Sequence, residues 1–317
     1  ALVSPFSHTG AVALIYIARP FAYVITVVAH WAARFPVLEL HTGVVALLTV
    51  ALLILIIYIT GKKGAVVLLL IVSIALYIGR FPTGDWKVFA CNVGQGDATV
   101  INLHHHRAIL IDTGPDPLLI DACLRSLHIK EISLLILTHG HADHIGGLSG
   151  AIKNRKVGAQ WFGNVARGMH ATIGEYSISV LWPQIIGATD ENLNNVSIAA
   201  IIESKDVRIF AAGDIEPPVQ EQLRGRVGHV DIYKVAHHGS RYQDATLLKE
   251  LSPSVAMIEV GIGNSYGHPA DSTISALKAM GTRVFRTDKD GAIAIDADDH
   301  HLKVQYDNAH LHLLRIR

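Results

Sequence analysis

Cysteine is almost missing from this chain: 317 residues hold two, Cys91 and Cys123, with no C-x-x-C spacing. That leaves no dithiol redox motif or cysteine-based zinc site to consider. Cys91 falls in a strand-like run and Cys123 in a helical one, so both read as small buried apolar residues; a disulfide between them stays open. Net charge is also absent, but unevenly so. Five of the 27 basic residues and one of the 27 acidic residues lie in 1–83, so 84–317 holds 22 and 26, a balance of −4. The C-terminal part therefore lacks the overall basic footprint of a nucleic-acid binder. No internal repeat, low-complexity tract or signal peptide is legible, and the start at Ala1 is compatible with a fragment of a longer chain. Histidine is abundant instead, at 19, so a single histidine carries no weight and only spacing counts.

Residues 44–60 and 65–79 are apolar runs without a charge, joined by Gly61-Lys62-Lys63-Gly64. Each is about the minimum length that crosses ~30 Å of hydrocarbon, and the pair predicts a transmembrane helical hairpin. Lys62 and Lys63 place the turn on the cytoplasmic side, and so place everything after Arg80 on the other side. Residues 10–35 are apolar but broken by Arg19-Pro20, His30 and Arg34. They read as an interfacial or kinked helix. The expected division is a membrane segment over 1–83 and a globular domain over 84–317.

Beyond Pro82 the long runs give way to short ones. Strands are predicted at 86–92, 98–103, 107–112, 132–139, 176–182, 196–204, 207–214, 231–238, 254–260, 282–287 and 291–297. Helices are predicted at 116–129, 217–224, 244–252 and 271–280. This order implies a layered α/β domain with sheets inside and helices outside.

The chemistry concentrates in THGHADHIGG, 138–147, directly after an apolar strand. Ligand sites lie at such strand ends. His139 and His141 can face one side of an extended loop, Asp143 and His144 a neighbouring position, and Gly146-Gly147 allows a tight turn. Imidazole and carboxylate suit zinc, manganese or iron. One loop cannot complete two ion sites, and further candidates stand at later strand ends. These are Asp214, which could bridge two cations, His237-His238, and His268. Asp112 is placed to support the metal loop from behind. His104-His105-His106 reads as a hairpin turn, and His300-His301 and His310-x-His312 as structural. Lys153-Asn154-Arg155-Lys156 reads as a solvated helix end, with phosphate contact as its second role.

Taken with NVGQGDA (92–98), ILIDTG (109–114), AAGDIE (211–216), VAHHGS (235–240) and YGHP (266–269), the metal loop resembles the metallo-β-lactamase superfamily. More finely, it resembles the C-terminal domain of the ComEC family of DNA-internalisation competence proteins. The resemblance implies an αββα metallo-β-lactamase sandwich holding two divalent ions, zinc or manganese. One ion would be held by His139 and His141, and the second by Asp143, His144 and a later histidine, with Asp214 between them. It favours His268 as that later ligand, leaving His237 or His238 to contact the scissile phosphate; His237 as the ligand stays open. Two departures stand out. No histidine occurs over Asn192–Ser197, where Asn195 would be a weak ligand or hold water, and Asn92 replaces the family's usual aspartate. The implied partners are DNA, single-stranded, the membrane and other DNA-uptake components, although the chain lacks most of a membrane channel.

The leading expectation is an extracytoplasmic nuclease. Asp143 or Asp214 would help deprotonate the attacking water, two cations would stabilise charge on the phosphate, and Arg241 would supply a phosphate contact. The alternatives are hydrolysis of another cell-envelope phosphodiester and a non-catalytic cap on a DNA channel. A β-lactam is disfavoured because Asp214, not cysteine, stands at the second-metal position.

Overall fold

The computed structural model describes residues 81–307 continuously. Before them it describes only positions 12, 16, 19, 20, 22–27, 55, 58, 59, 61, 64, 66 and 67, all helical. The expected hairpin over 44–60 and 65–79 therefore falls mostly outside the described residues, and His310 and His312 lie wholly outside them. Among the described residues no helix is long and apolar enough to cross a membrane. The chain divides into two compact units, Ala1–Tyr77 and Ile78–Arg317.

The second unit is built by alternation. In β3 (Arg107–Ile111), Ile109 and Ile111 face one apolar layer while Ala108 and Leu110 face another. Side chains of period two on a strand must do this. β3 shares its sheet with β1 (Trp86–Ala90), β2 (Thr99–Asn102), β4 (Glu131–Ile136), β5 (Lys156–Trp161), β13 (Ile293–Asp298) and β14 (His301–Tyr306). They form a seven-stranded sheet in the order β14-β13-β1-β2-β3-β4-β5. The second sheet has β6 (His170–Ile173), β7 (Tyr176–Trp182), β8 (Ala199–Glu203), β9 (Arg208–Ala211), β10 (Ile232–Lys234), β11 (Val255–Ile258) and β12 (Arg283–Arg286). Its order is β12-β11-β10-β9-β8-β7-β6. Ile109, Leu134, Ile209, Met257 and their neighbours fill the layer between the sheets.

Helices α1 (Pro117–Ser126), α2 (Ala142–Ile145) and α3 (Leu148–Ala151) follow β3 and β4. Leu124 of α1 and Ala151 of α3 join the apolar layer outside the first sheet. Helices α4 (Pro217–Leu223), α5 (Ala245–Leu251) and α6 (Asp271–Ala279) join the parallel strands β9 to β12. Val219, Leu248 and Leu277 bury the outer face of that second sheet. The result is the αββα sandwich that the resemblance implies. α1 starts where capping chemistry requires: Asp116 accepts the Leu118 N–H, and proline occupies the first turn.

Two local readings are corrected. Lys153–Lys156 leads from the end of α3 into β5 with Lys153, Asn154 and Lys156 exposed as read, but the Arg155 side chain is buried. Its Nη1 donates to Asp121 Oδ1 at 3.0 Å and its Nε to the Ile129 carbonyl at 3.1 Å. Cys91 and Cys123 are buried or half-buried as expected, but they form a disulfide, with Cα atoms 6.0 Å apart and 32 residues of separation. It ties the end of β1 to α1. A loop of this length implies about 3–4 kcal/mol of stabilisation in the chain-entropy account. Cys123→Ala is therefore expected to lower the unfolding free energy by about 2–4 kcal/mol, measured by urea denaturation with and without reductant. Reductant should weaken the wild type and leave the variant unchanged.

The triple histidine behaves as read. His104, His105 and His106 form the β2–β3 turn with φ of +57°, +50° and +64°, the left-handed region where histidine is enriched.

Candidate metal centre

Parallel strands β3, β4, β9 and β10 end at one edge of the sandwich, and each delivers a polar residue there. Asp112 follows β3, His139 follows β4, Asp214 follows β9, and His237-His238 follow β10. The 142–151 segment packs so closely that a side chain is excluded at Gly147 and Gly150. A Cβ on Gly147 would meet the Thr113 carbonyl oxygen at 2.1 Å, and one on Gly150 the Pro117 carbonyl oxygen at 1.8 Å. Gly146 and Gly147 both have negative φ, −59° and −78°. These two glycines therefore serve close approach rather than an unusual turn.

The metal loop brings its donors together. His139 Nε2 and His141 Nδ1 face each other at 2.9 Å. His144 Nε2 lies 3.2 Å from Asp214 Oδ2, and His139 Nε2 lies 4.0 Å from the same oxygen. His238 Nε2 stands 3.2 Å from Asp143 Oδ2 and 3.7 Å from Asp214 Oδ2. Two overlapping groups result, each able to hold an ion: His139, His144 and Asp214, and Asp143, His144 and His238. The fit is independently marked by buried atoms that have no hydrogen-bond partner, His144 Nε2 and Asp214 Oδ1. Buried polar atoms are seldom left this way unless an ion or water satisfies them. A third group, Asp97, Asp112 and His144, serves as support. Asp112 accepts His144 Nδ1–H at 2.9 Å, and its oxygens also take the Thr138 N–H and hydroxyl at 2.7 and 2.8 Å. This fixes the ring so that Nε2 faces the centre.

The sequence-predicted residues divide. His139, His141, Asp143, His144 and Asp214 converge with His238. His268 stands apart from both groups: its ring centroid is 5.2 Å from that of His237 and 6.5 Å from that of His238. His237 points towards Glu216, with Nδ1 3.3 Å from Oε1 but no hydrogen bond. His237 and His238 both adopt left-handed backbone, φ +52° and +51°. Such conformations cost of order 1–3 kcal/mol each and gather at working sites; here they send adjacent imidazoles to different places. Asn195 does not reach the centre. Its Oδ1 accepts the Glu216 N–H at 3.2 Å and its carbonyl accepts Trp182 Nε1–H at 2.6 Å. Ser197 is nearer, with Oγ 3.2 Å from His139 Nδ1 while accepting the Asp214 N–H at 3.1 Å.

Three residues without a role in the sequence reading hold the centre from behind. Buried Asp97 forms an ion pair with Lys234 and lies 3.1 Å from His238 Nδ1, which donates to the Glu259 carbonyl at 2.9 Å. Lys234 Nζ also lies 3.7 Å from Glu259 Oε2. Asp97 stands in the quoted NVGQGDA string, which was its available signal; Lys234 and Glu259 sit within apolar strand runs and gave none.

Charge follows this geometry. Burial, aided by His144, pushes His139 down to about 3. Burial would lower His144 and His238 too, but Asp214 and Asp112 outweigh it at His144, and Asp97 and Asp214 at His238. Both are held well above the ordinary histidine value. Burial alone would raise Asp214, yet His144 and His238 hold it well below the carboxylate range. Burial, with His237 and His238, lowers His268 to about 4. Arg241 lies at the same exposed rim and adds to that lowering.

Residues 91–240 match the model described as the metallo-beta-lactamase superfamily. The chain is 27% identical to ComE operon protein 3 of Bacillus subtilis (strain 168) over 268 residues, 70% of this chain and 34% of that protein. It is 25% identical to competence protein ComA of Neisseria gonorrhoeae over 304 residues, 92% of this chain and 43% of that protein. It thus spans well under half the length of either. Among solved structures it is similar to the metallo-beta-lactamase fold protein YhfI from Bacillus subtilis, at 13% identity, TM-score 0.43, and coverage of 64% of this chain and 96% of that one. Residues 91–240 thus match the metallo-beta-lactamase superfamily, which implies a metal-dependent hydrolase, and the chain is similar to curated proteins of the ComEC family.

Proposed function

We propose that this domain is a dinuclear metal-dependent phosphodiesterase that cuts DNA, single-stranded, outside the cytoplasm. The observation that carries the reading is the pair of donor groups around the unsatisfied His144 Nε2 and Asp214 Oδ1, with His237, His268 and Arg241 along the rim. His139 and His141 would hold one ion, and Asp143, His144 and His238 the other, with Asp214 between them. Two bound divalent cations would lower the pKa of water and offset charge on a phosphate oxygen. Asp143 is the half-exposed carboxylate of the set, so it is the one able to take a proton from an incoming water. His237 and Arg241 would face the phosphate and leaving group from the open side. The buried disulfide supports an oxidising compartment, which agrees with the orientation drawn from Lys62 and Lys63.

The competing reading is a non-catalytic cap on a DNA channel, favoured by Asn195 turning away and by the missing third histidine. The test offers labelled single-stranded DNA to the purified chain with Mn²⁺ or Zn²⁺. The wild type should cleave, and the double variant Asp143→Ala, His144→Ala should lose about 10³-fold or more. Equal cleavage by both, or none by the wild type, sinks the proposal.

A further inference from the structure

The opposite end of the same strands carries a second feature. Lys130 precedes β4 and Lys156 opens β5. The six residues of β4 place this edge about 20 Å from the metal end, at ~3.3 Å per residue. A cleft of about 340 Å³ opens here, lined among others by Arg125, His128, Lys130, Lys153, Asn154 and Arg155. Its floor is rigid. Arg155, whose side chain is 3% exposed, is locked by Asp121 and by the carbonyls of Ile129, Gly150, Ala151 and Lys153. Asp121 is the only carboxylate in the lining, and it is taken up by Arg155 at 3.0 Å and Arg125 at 3.5 Å. Lys130 and Lys153 are exposed, and neither side chain has an ion-pair or hydrogen-bond partner among the described residues. Unpaired cations thus gather in one concave place on a domain whose balance is −4 over 84–317.

We propose that this cleft binds the phosphate backbone of a single-stranded nucleic acid, at a site separate from the metal centre. Proteins track phosphates with lysine and arginine, and such pairings carry no sequence information. No Phe, Tyr or Trp lines the cleft, and His128 is its one ring, so the cationic side chains, which meet the backbone, dominate what the cleft offers. A concave site of this size suits a phosphate and its sugar better than a flat lipid surface. Lys130, Lys153 and the free end of Arg125 meet the phosphates, while Arg155 holds the turn that presents Lys153. The choice of nucleic acid rests on the phosphodiesterase reading above; the existence of an anion site does not.

The test uses the purified full chain, stripped of metal so that nothing is cut, and a fluorescein-labelled thymidine oligonucleotide followed by anisotropy between about 50 and 200 mM salt. Lys130→Glu with Lys153→Glu is expected to weaken binding at least about tenfold and to flatten the log–log salt slope by about 0.7 for each phosphate no longer neutralised. Reloaded with metal, the same variant should hydrolyse bis(4-nitrophenyl) phosphate like the wild type, which also shows that it folds. Affinity within about twofold of wild type would overturn the site. So would a loss confined to vesicles of phosphatidylglycerol, which would reassign the cleft to a lipid surface. Weakened oligonucleotide binding with no hydrolysis by the wild type would support the cleft and remove the phosphodiesterase reading instead.

Discussion

His238→Ala is expected to cost the protein one metal ion and about 10³ in kcat/KM, roughly 4 kcal/mol of transition-state stabilisation. His238 Nε2 lies 3.2 Å from Asp143 Oδ2 and groups with Asp143 and His144. Without it, two of the three donors in that group remain. His268→Ala should behave differently. That ring stands outside both donor groups, so both ions should stay and the loss should fall nearer tenfold, mainly in KM. Metal analysis beside steady-state kinetics on the two variants reads the difference. If His268→Ala loses the ion and His238→Ala keeps it, the order favoured by family resemblance is right and the assignment from geometry is wrong.

The second large effect is one of stability. Lys234 is 1% exposed and sits between Asp97 and Glu259. Burial alone would discharge the lysine, but Asp97 and Glu259 outweigh it and push its pKa up. Burial also raises Glu259 to about 8, with Lys234 opposing and Asp97 adding. Lys234→Met keeps the apolar stem and leaves the buried Asp97 carboxylate without its cation, beside a Glu259 that burial already holds largely protonated. Breaking a buried pair from one side typically costs about 3–5 kcal/mol. Adding Asp97→Asn should restore part of this, because the remaining charge imbalance is smaller. Urea unfolding of the wild type and the two variants measures it, and a Lys234→Met midpoint equal to wild type would contradict this role for the lysine. The same substitution should weaken metal binding, since Asp97 lies against the back of His238.

These two residues also show what the sequence could and could not disclose. The central strands were legible because they are largely buried and read as mostly apolar runs, as in β3 and β4. The strands missed, β5, β6 and β14, all lie at sheet edges. Five of the six residues of β5 are exposed, and its interior holds Gly158; edges carry polar residues that blur the alternation. Within the site, the spacing of His139, His141, Asp143 and His144 marked the loop because those donors share one short segment. The choice among His237, His238 and His268 was not legible. It depends on two consecutive left-handed residues, a backbone fact without a compositional trace. The Cys91–Cys123 bond was likewise hidden, because the packing of α1 on the end of β1, not the spacing, brings the two sulfurs together.

The most direct measurement is the metal content of the purified chain, compared with Asp214→Ala. Asp214 is 1% exposed and reaches towards His139, His144 and His238. A dinuclear centre predicts about two divalent ions per wild-type chain and no more than one in the variant, with hydrolysis lost in step. Fewer than about half an ion per wild-type chain after reconstitution, or equal content in the two proteins, would contradict it.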